Sequence, residues 1–174
     1  MSSTTFDGAY NLAAKTEHIE LVAIKKMFVE LLKELKALKT QWEKTRAGFQ
    51  TRLSRIHYRV QQAEKAGVTI TQAAHLVGPF LNELQGRGHT KVGLLPSIGQ
   101  QIENGISTIE RVSEEPLPRR QDLGTWAGIP SCVRGKICAV EERLARLETL
   151  VADGGPLHDL IEQAAVRTTT HAVA

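Results

Sequence analysis

The sequence predicts an all-α fold, either an elongated helical bundle or a coiled-coil hairpin, with one long N-terminal helix over about residues 16–66 and three to four shorter helices. Two observations support this prediction. Apolar residues recur at alternating spacings of three and four in two long tracts, the pattern of a coiled-coil seam. Aromatic residues make up only 5% of the 174 residues, and the dominant aliphatic residues suit helix packing better than a sheet.

The first tract is the seam of the long helix. After one phase shift its apolar spacing continues to Ala63. A helix over residues 16–66 would be roughly 75 Å long at 1.5 Å per residue, which is longer than a core of this size requires. We interpret the seam as the candidate surface for an oligomer or a partner helix; its residues are Leu21, Ile24, Phe28, Leu31, Leu35, Leu38 and Trp42.

The seam changes phase after Trp42. Arg46 takes a position that the later phase assigns to the core, so the spacings over residues 38, 42, 46 and 49 are four, four and three. This is a stutter, which relaxes supercoiling locally. Gly48 follows and lowers helix propensity by about 1 kcal/mol relative to alanine. The sequence therefore leaves open whether the helix continues or turns back in a hairpin at Ala47 and Gly48.

A second helix is predicted directly after the long one. Gly67 suits the C-terminus of the long helix, and Thr69 or Thr71 can cap the next one. This second helix is short and bent, over about residues 71–84, because Pro79 lies inside it.

The segment from Gly86 to Gly93 connects the second helix to a third. It lacks the Gly-Lys-Ser/Thr ending of a P-loop and the strand that precedes a dinucleotide-binding loop, so we interpret it as a flexible connection. The third helix starts near Pro96 or Ser97 and stops before Pro116. Its apolar face consists of Ile98, Ile102, Ile106, Ile109 and Val112.

A stretch rich in proline and glycine separates the third helix from the second heptad tract. That tract predicts a fourth helix, followed by a short last one; its apolar positions are Val133, Ile137, Val140, Leu144, Leu147 and Val151. The predicted organisation is a long helix with two packing helices (1–112), a connection (113–131), a C-terminal helical pair (132–166) and a flexible tail (167–174).

Positive charge is concentrated in the long helix. Residues 1–66 carry twelve Lys and Arg against seven Asp and Glu, whereas the remainder carries ten against twelve. Between Lys44 and Arg59 there are five cations and no acid. At about 100° per residue, four of them share one face beside the seam. We name this set the basic stripe: Lys44, Arg52, Arg55 and Arg59.

The basic stripe has two interpretations. Guanidinium groups held in register on a helix match the phosphates of RNA or DNA, which makes these four residues candidate nucleic-acid-binding residues. Alternatively, they form a solvated flank that pairs with acidic residues of a neighbouring helix. Aromatic residues that could stack on bases are nearly absent nearby, so any contact with nucleic acid would be mostly electrostatic.

Sequence patterns of catalytic and metal sites are missing. The six histidines are dispersed without a His-Glu-x-x-His motif. Cys132 and Cys138 lie six residues apart, a spacing that fits neither a redox motif nor a zinc hook, and we expect both to be small buried thiols. We therefore predict no enzymatic activity, no catalytic residues, no metal and no cofactor.

No stretch approaches the roughly 18 uncharged apolar residues of a membrane span, and the N-terminus lacks the features of a secretory signal. We therefore expect no integral membrane insertion and an intracellular, cytoplasmic location.

The sequence favours a non-enzymatic assembly or scaffold protein that self-associates, or binds another helical protein, through its heptad seams. The alternative is an oligomeric RNA- or DNA-binding protein, of a viral or nucleoprotein-like kind, that uses the basic stripe. A third hypothesis is a membrane-surface protein whose basic amphipathic helix meets anionic lipid.

Overall fold

The computed structural model describes the backbone of residues 2–87, 91–116 and 118–173, and the side chains of residues 15, 18–87, 91–116 and 118–169. The helices are α1 (Ser2–Lys65), α2 (Ile70–Gln85), α3 (Leu94–Ser113), α4 (Arg120–Trp126), α5 (Ile129–Val151) and α6 (Pro156–Val173). Two short strands, β1 (Gly86–Arg87) and β2 (Lys91–Val92), lie between α2 and α3. The all-α class with one long N-terminal helix is confirmed. Within the described residues, no helix has the length and apolar character needed to cross a membrane.

Helix α1 is continuous through the stutter, so the alternative of a hairpin at Ala47 and Gly48 is wrong. The rings of Trp42 and Phe49 pack edge to face across this region, with their centroids 6.1 Å apart. Both side chains are buried, and their burial outweighs the helix penalty of about 1 kcal/mol at Gly48. The helix also begins at Ser2 rather than near residue 16, in a stretch that contains no proline.

The chain divides into two compact units. The first comprises residues 1–40 and 101–133, and the second comprises residues 41–100 and 134–174. Helices α1, α3 and α5 each contribute residues to both units. The four-part organisation drawn from the sequence stays a prediction.

In the first unit, α1 and α3 pack against each other in opposite directions. Lys36 pairs with Glu110 at 3.3 Å and Lys39 with Glu103 at 2.8 Å. Between these pairs, a Cβ on Gly105 would lie 3.4 Å from Leu35 Cδ1, so the glycine allows the close approach expected for this helix. The buried apolar residues of this unit are Phe28, Leu31, Leu35, Leu38, Ile102, Ile106, Ile109, Val112, Ile129 and Val133.

In the second unit, α2 starts with a complete capping box. The Thr69 hydroxyl accepts a hydrogen bond from the Gln72 backbone N–H, and the Gln72 side chain accepts one from the Thr69 N–H, each at 3.1 Å. Thr69 is therefore the cap, and Gly67 precedes it with φ of 109°. Pro79 lies inside α2 without dividing it.

The connection between α2 and α3 contains a β ladder that the sequence did not predict. Gly86 pairs with Val92 and Arg87 with Lys91 in antiparallel register. Gly86 has φ of 88°, and a Cβ there would lie 2.5 Å from the Lys91 carbonyl oxygen. Glycine is needed at this position both for the backbone conformation and for the close approach.

Three helical segments differ from the sequence prediction, one as an unpredicted helix and two by extending beyond their predicted limits. Helix α4 lies within the connection that was predicted to be irregular, and α5 starts at Ile129, before residue 132. Helix α6 continues to Val173, so the segment predicted to be a flexible tail is helical up to that residue. Its flexibility stays a prediction.

Candidate functional site

The seam of α1 is buried within the chain over most of its length. From Phe28 to Trp42, its side chains have relative exposures of 7% or less. Leu21 and Ile24, which precede them, are only half-buried. The chain's own side chains therefore occupy the seam from Phe28 onward, and only its beginning is left for a partner.

Exposed apolar residues cluster at this same part of α1. Among the described side chains, eight large hydrophobic ones are exposed, and four of them lie within residues 19–29. Their relative exposures run from 42% to 68%, and the residues are Ile19, Val22, Met27 and Val29. We name residues 19–29 the N-terminal apolar segment. Clustered rather than scattered exposed hydrophobic residues are the usual sign of an interaction site.

The N-terminal apolar segment is apolar on two sides. Ile19, Val22 and Val29 each precede a seam residue by nine positions, which at about 100° per residue places them on the opposite side of the helix. The sequence prediction identified the seam and missed this second face. The sequence contained the pattern that identifies this second face, because its aliphatic residues lie half a helical turn away from those of the seam.

The structure pairs Arg52 of the basic stripe with two carboxylates of α5. Its Nε donates to Glu148 Oε1 at 3.1 Å and its Nη1 to Glu141 Oε1 at 2.6 Å, and its Nη2 also donates to Glu148. The hydrogen bonds to Glu148, and then those to Glu141, raise the pKa of the Arg52 guanidinium above its ordinary value despite its partial burial. Arg52 is therefore a fixed, charged contact between α1 and α5.

Arg59 is paired in the same way near the end of α5. Its Nη1 donates to Asp153 Oδ1 at 3.0 Å and to the Val151 carbonyl oxygen at 3.3 Å. Because Asp153 is almost fully exposed, water and salt screen this pair and it adds little stability.

Lys44 and Arg55 complete the basic stripe. Both side chains are exposed, and within the described part of the chain neither forms an ion pair. The basic stripe is thus divided. Arg52 and Arg59 pair with acidic residues of the same chain, as the second interpretation of the stripe expects. Nucleic-acid binding stays a prediction, with Lys44 and Arg55 as its accessible cations.

Cys132 and Cys138 are both exposed free thiols, so the expectation that they are buried is wrong. Cys132 immediately precedes the buried Val133, and adjacent helical residues diverge by about 100°, which turns its thiol away from the core. Its sulfur lies 3.8 Å from Gln101 Oε1. Among the residues that the structure describes, no three His, Cys, Asp or Glu side chains are grouped so that they could hold a metal ion.

Comparisons of this chain with protein-family models, curated proteins and solved structures found no match. Its function has to be inferred from the surfaces described above.

Proposed function

We propose that this chain is a non-enzymatic assembly protein that binds a helical partner, a second copy or another chain, through its N-terminal apolar segment. The observation that supports this proposal is the cluster of four exposed aliphatic side chains within residues 19–29 of α1. A helix that is apolar on more than one side is normally buried rather than exposed to water.

Charged residues within the segment favour a protein partner over lipid. Glu20, Lys25 and Lys26 interrupt the apolar positions, and such mixed charges are typical of helices that pack on other helices in water. A partner helix can pack along rows of residues spaced by three and four. The charged side chains of the segment would have to lose their hydration if the helix inserted into a bilayer, which costs free energy.

The energetics favour a partner that covers both faces. Burying one aliphatic side chain is worth about 1.5–3 kcal/mol, so one face with two or three such residues contributes roughly 3–9 kcal/mol. Association itself costs about 4–15 kcal/mol. One face alone therefore gives weak binding, and a stable assembly surrounds the segment with at least two partner helices.

Light scattering coupled to size exclusion tests this proposal. We expect the wild type to run as an oligomer at micromolar concentration and the double variant Ile19→Ser, Val22→Ser to run as a monomer. The matched control is Ile70→Ser with Val92→Ser, which removes two aliphatic side chains elsewhere that are at least as exposed and should leave the oligomer intact. A monomeric wild type would contradict self-association, and equal effects of the two double variants would contradict the assignment to this segment.

The second hypothesis, RNA binding through the basic stripe, is supported by the exposure of Lys44 and Arg55. Adding a short generic RNA to the same measurement, at low and high salt, tests it. A complex that forms only at low salt would favour this function, because phosphate contacts weaken steeply as salt rises.

A further inference from the structure

A pocket of about 390 Å³ lies beside the stutter of α1, within the second unit. Side chains of α1, α2 and α3 line it. Three of its lining residues, Leu53, Leu95 and Pro96, are apolar, and its polar groups come from Arg46, Gln50 and Gln85. The stutter accounts for its position, because Arg46 stands where the later phase of the seam would place a core side chain.

The indole N–H of Trp42 opens into this pocket without an acceptor. Trp42 has a relative exposure of only 4%, yet no described residue accepts a hydrogen bond from its nitrogen. Among the described residues, every fully buried side-chain nitrogen or oxygen has a hydrogen-bond partner. Because the Trp42 nitrogen has none, it is not fully buried and contacts solvent. Buried tryptophan N–H groups usually have an acceptor.

Gly99 is the reason that the donor is uncovered. A Cβ at this position would lie 3.6 Å from Trp42 Nε1, which is an ordinary contact distance. Gly99 lines the same pocket, so the space beside the indole nitrogen is part of it.

The charge of the pocket favours an anion. Arg46 is exposed and has no ion-pair partner among the described residues, and none of the described residues that line the pocket is acidic. Leu95 and Pro96 belong to the first turn of α3, where the helix carries a partial positive charge. The amide group of Gln50 adds further donors, whereas the Gln85 amide nitrogen already lies 3.4 Å from His57 Nε2.

We propose that this pocket binds a carboxylate joined to an apolar body. The Arg46 guanidinium pairs with the carboxylate, and the Trp42 N–H donates to one of its oxygens. Leu53, Leu95 and Pro96 contact the apolar body. A carboxylate fits better than a phosphate dianion, because Arg46 is the only cation among the described residues that line the pocket and one guanidinium matches one negative charge.

Two sources share this chemistry, a free small acid and the carboxyl terminus or an acidic side chain of a peptide. The site is independent of the N-terminal apolar segment, so its failure or success leaves the proposed assembly function unchanged.

The test follows the two indole N–H signals in proton–nitrogen NMR spectra, with Trp126 as the internal reference. Benzoate serves as the small acid, and a tripeptide ending in a free phenylalanine carboxylate serves as the peptide. Benzamide, the amidated tripeptide and inorganic phosphate are the matched controls. We expect the Trp42 signal to shift and saturate with one or both carboxylates and to stay in place with the controls. The carboxylate that saturates at lower concentration identifies the source.

Two variants separate charge from the indole contact. Arg46→Gln should weaken binding about tenfold or more, as expected for the loss of a charge-assisted hydrogen bond. Gly99→Ala should keep the fold and weaken binding by covering the indole nitrogen with a methyl group. Arg111→Gln, which removes an exposed cation outside the pocket, should bind as the wild type does.

Three outcomes would overturn the proposal. They are a Trp42 signal that no carboxylate moves, a response to phosphate as strong as that to benzoate, and unchanged binding by Arg46→Gln. Circular dichroism of each variant shows whether it folds, and the position of the Trp126 signal gives a second check.

Discussion

Two stretches of α1 carry the surface chemistry of a binding site, residues 19–29 and residues 44–59, and they differ in what covers them. In the first, four large aliphatic side chains stay exposed. In the second, two of the four cations of the basic stripe pair with carboxylates of α5 and of the turn that follows it. Because arginine and glutamate side chains are long, acidic residues of one neighbouring helix can reach and pair with a row of cations on α1. An apolar face on the far side of a helix needs a second packing surface, so the exposed aliphatic cluster is the stronger sign of an external partner.

The largest difference in stability between the two stretches should come from replacing one isoleucine by alanine in each. Ile56→Ala should destabilise the fold by about 3 kcal/mol, because this side chain is 1% exposed and its removal leaves a cavity. Ile19→Ala should change the stability of the monomer by less than about 0.5 kcal/mol, because Ile19 is 68% exposed. Urea unfolding of both variants, at a protein concentration where the wild type is monomeric, measures the difference. Similar losses for the two variants would show that residue 19 is packed within the chain.

The next effect separates the paired cations of the basic stripe from the unpaired ones. Arg52→Gln should cost about 1–2 kcal/mol, since it removes charge-assisted hydrogen bonds to two carboxylates that are themselves partly exposed. Arg55→Gln should cost less than about 0.5 kcal/mol. Urea unfolding at low and high salt should show the two variants converging as salt screens the Arg52 pairs.

The pH dependence of the Arg52 contribution follows from its raised pKa. The stabilisation is fully present below the unfolded-state pKa of arginine and is lost only as pH rises through the higher folded-state value. Across neutral pH, the difference in stability between the wild type and Arg52→Gln should therefore not change through titration of Arg52.

A smaller effect of opposite sign is expected at the glycine beside the stutter. Gly48→Ala should stabilise the chain by about 0.5–1 kcal/mol through helix propensity, because a Cβ there meets nothing within 4 Å. At Gly105 the same substitution places a Cβ 3.1 Å from Ile129 Cδ1, so crowding offsets the gain. Thermal unfolding of both variants checks the order, and a stabilisation by Gly105→Ala larger than that by Gly48→Ala would contradict it.

The smallest effect concerns RNA. We expect Lys44→Gln with Arg55→Gln to lower any affinity for single-stranded RNA more than Arg52→Gln with Arg59→Gln does. The first pair is exposed, whereas carboxylates already neutralise the second. The slope of the logarithm of affinity against the logarithm of salt should fall by about 1.4 for the first pair, because two phosphate contacts are lost. Fluorescence anisotropy with a labelled RNA measures both, and a larger loss in the second double variant would mean that the Arg52 and Glu148 pair opens for RNA.

The local elements were the most predictable part of the molecule. Most residues of the two predicted seams from Phe28 onward are buried, although Val60 and Ile137 are only half-buried, and the capping residues marked the start of α2. These features depend on neighbours a few positions apart, which sequence periodicity records directly. The β ladder at Gly86 and the exposure of Cys132 were missed, because each depends on contacts or directions that a one-dimensional pattern does not specify.

The sequence predicted residues of the candidate surfaces but not which of those residues contact other parts of the chain. The sequence identified the basic stripe from charge and helical rotation, and the structure then showed Glu141, Glu148 and Asp153 against it. It also marked the stutter at Trp42 and Arg46 but gave no sign of the pocket there. That pocket exists because Gly99 of another helix stands beside the indole nitrogen.

By itself, the sequence determined that this chain is helical, that α1 is long, and which positions of it are apolar or basic, because helix formation and amphipathicity follow from residue order over a few turns. The tertiary structure alone decided which of those positions are already buried or ion-paired within the chain. Burial and ion pairing join residues that lie far apart in the chain, such as Arg52 and Glu148, which are 96 positions apart, and no local pattern specifies which distant side chain meets which.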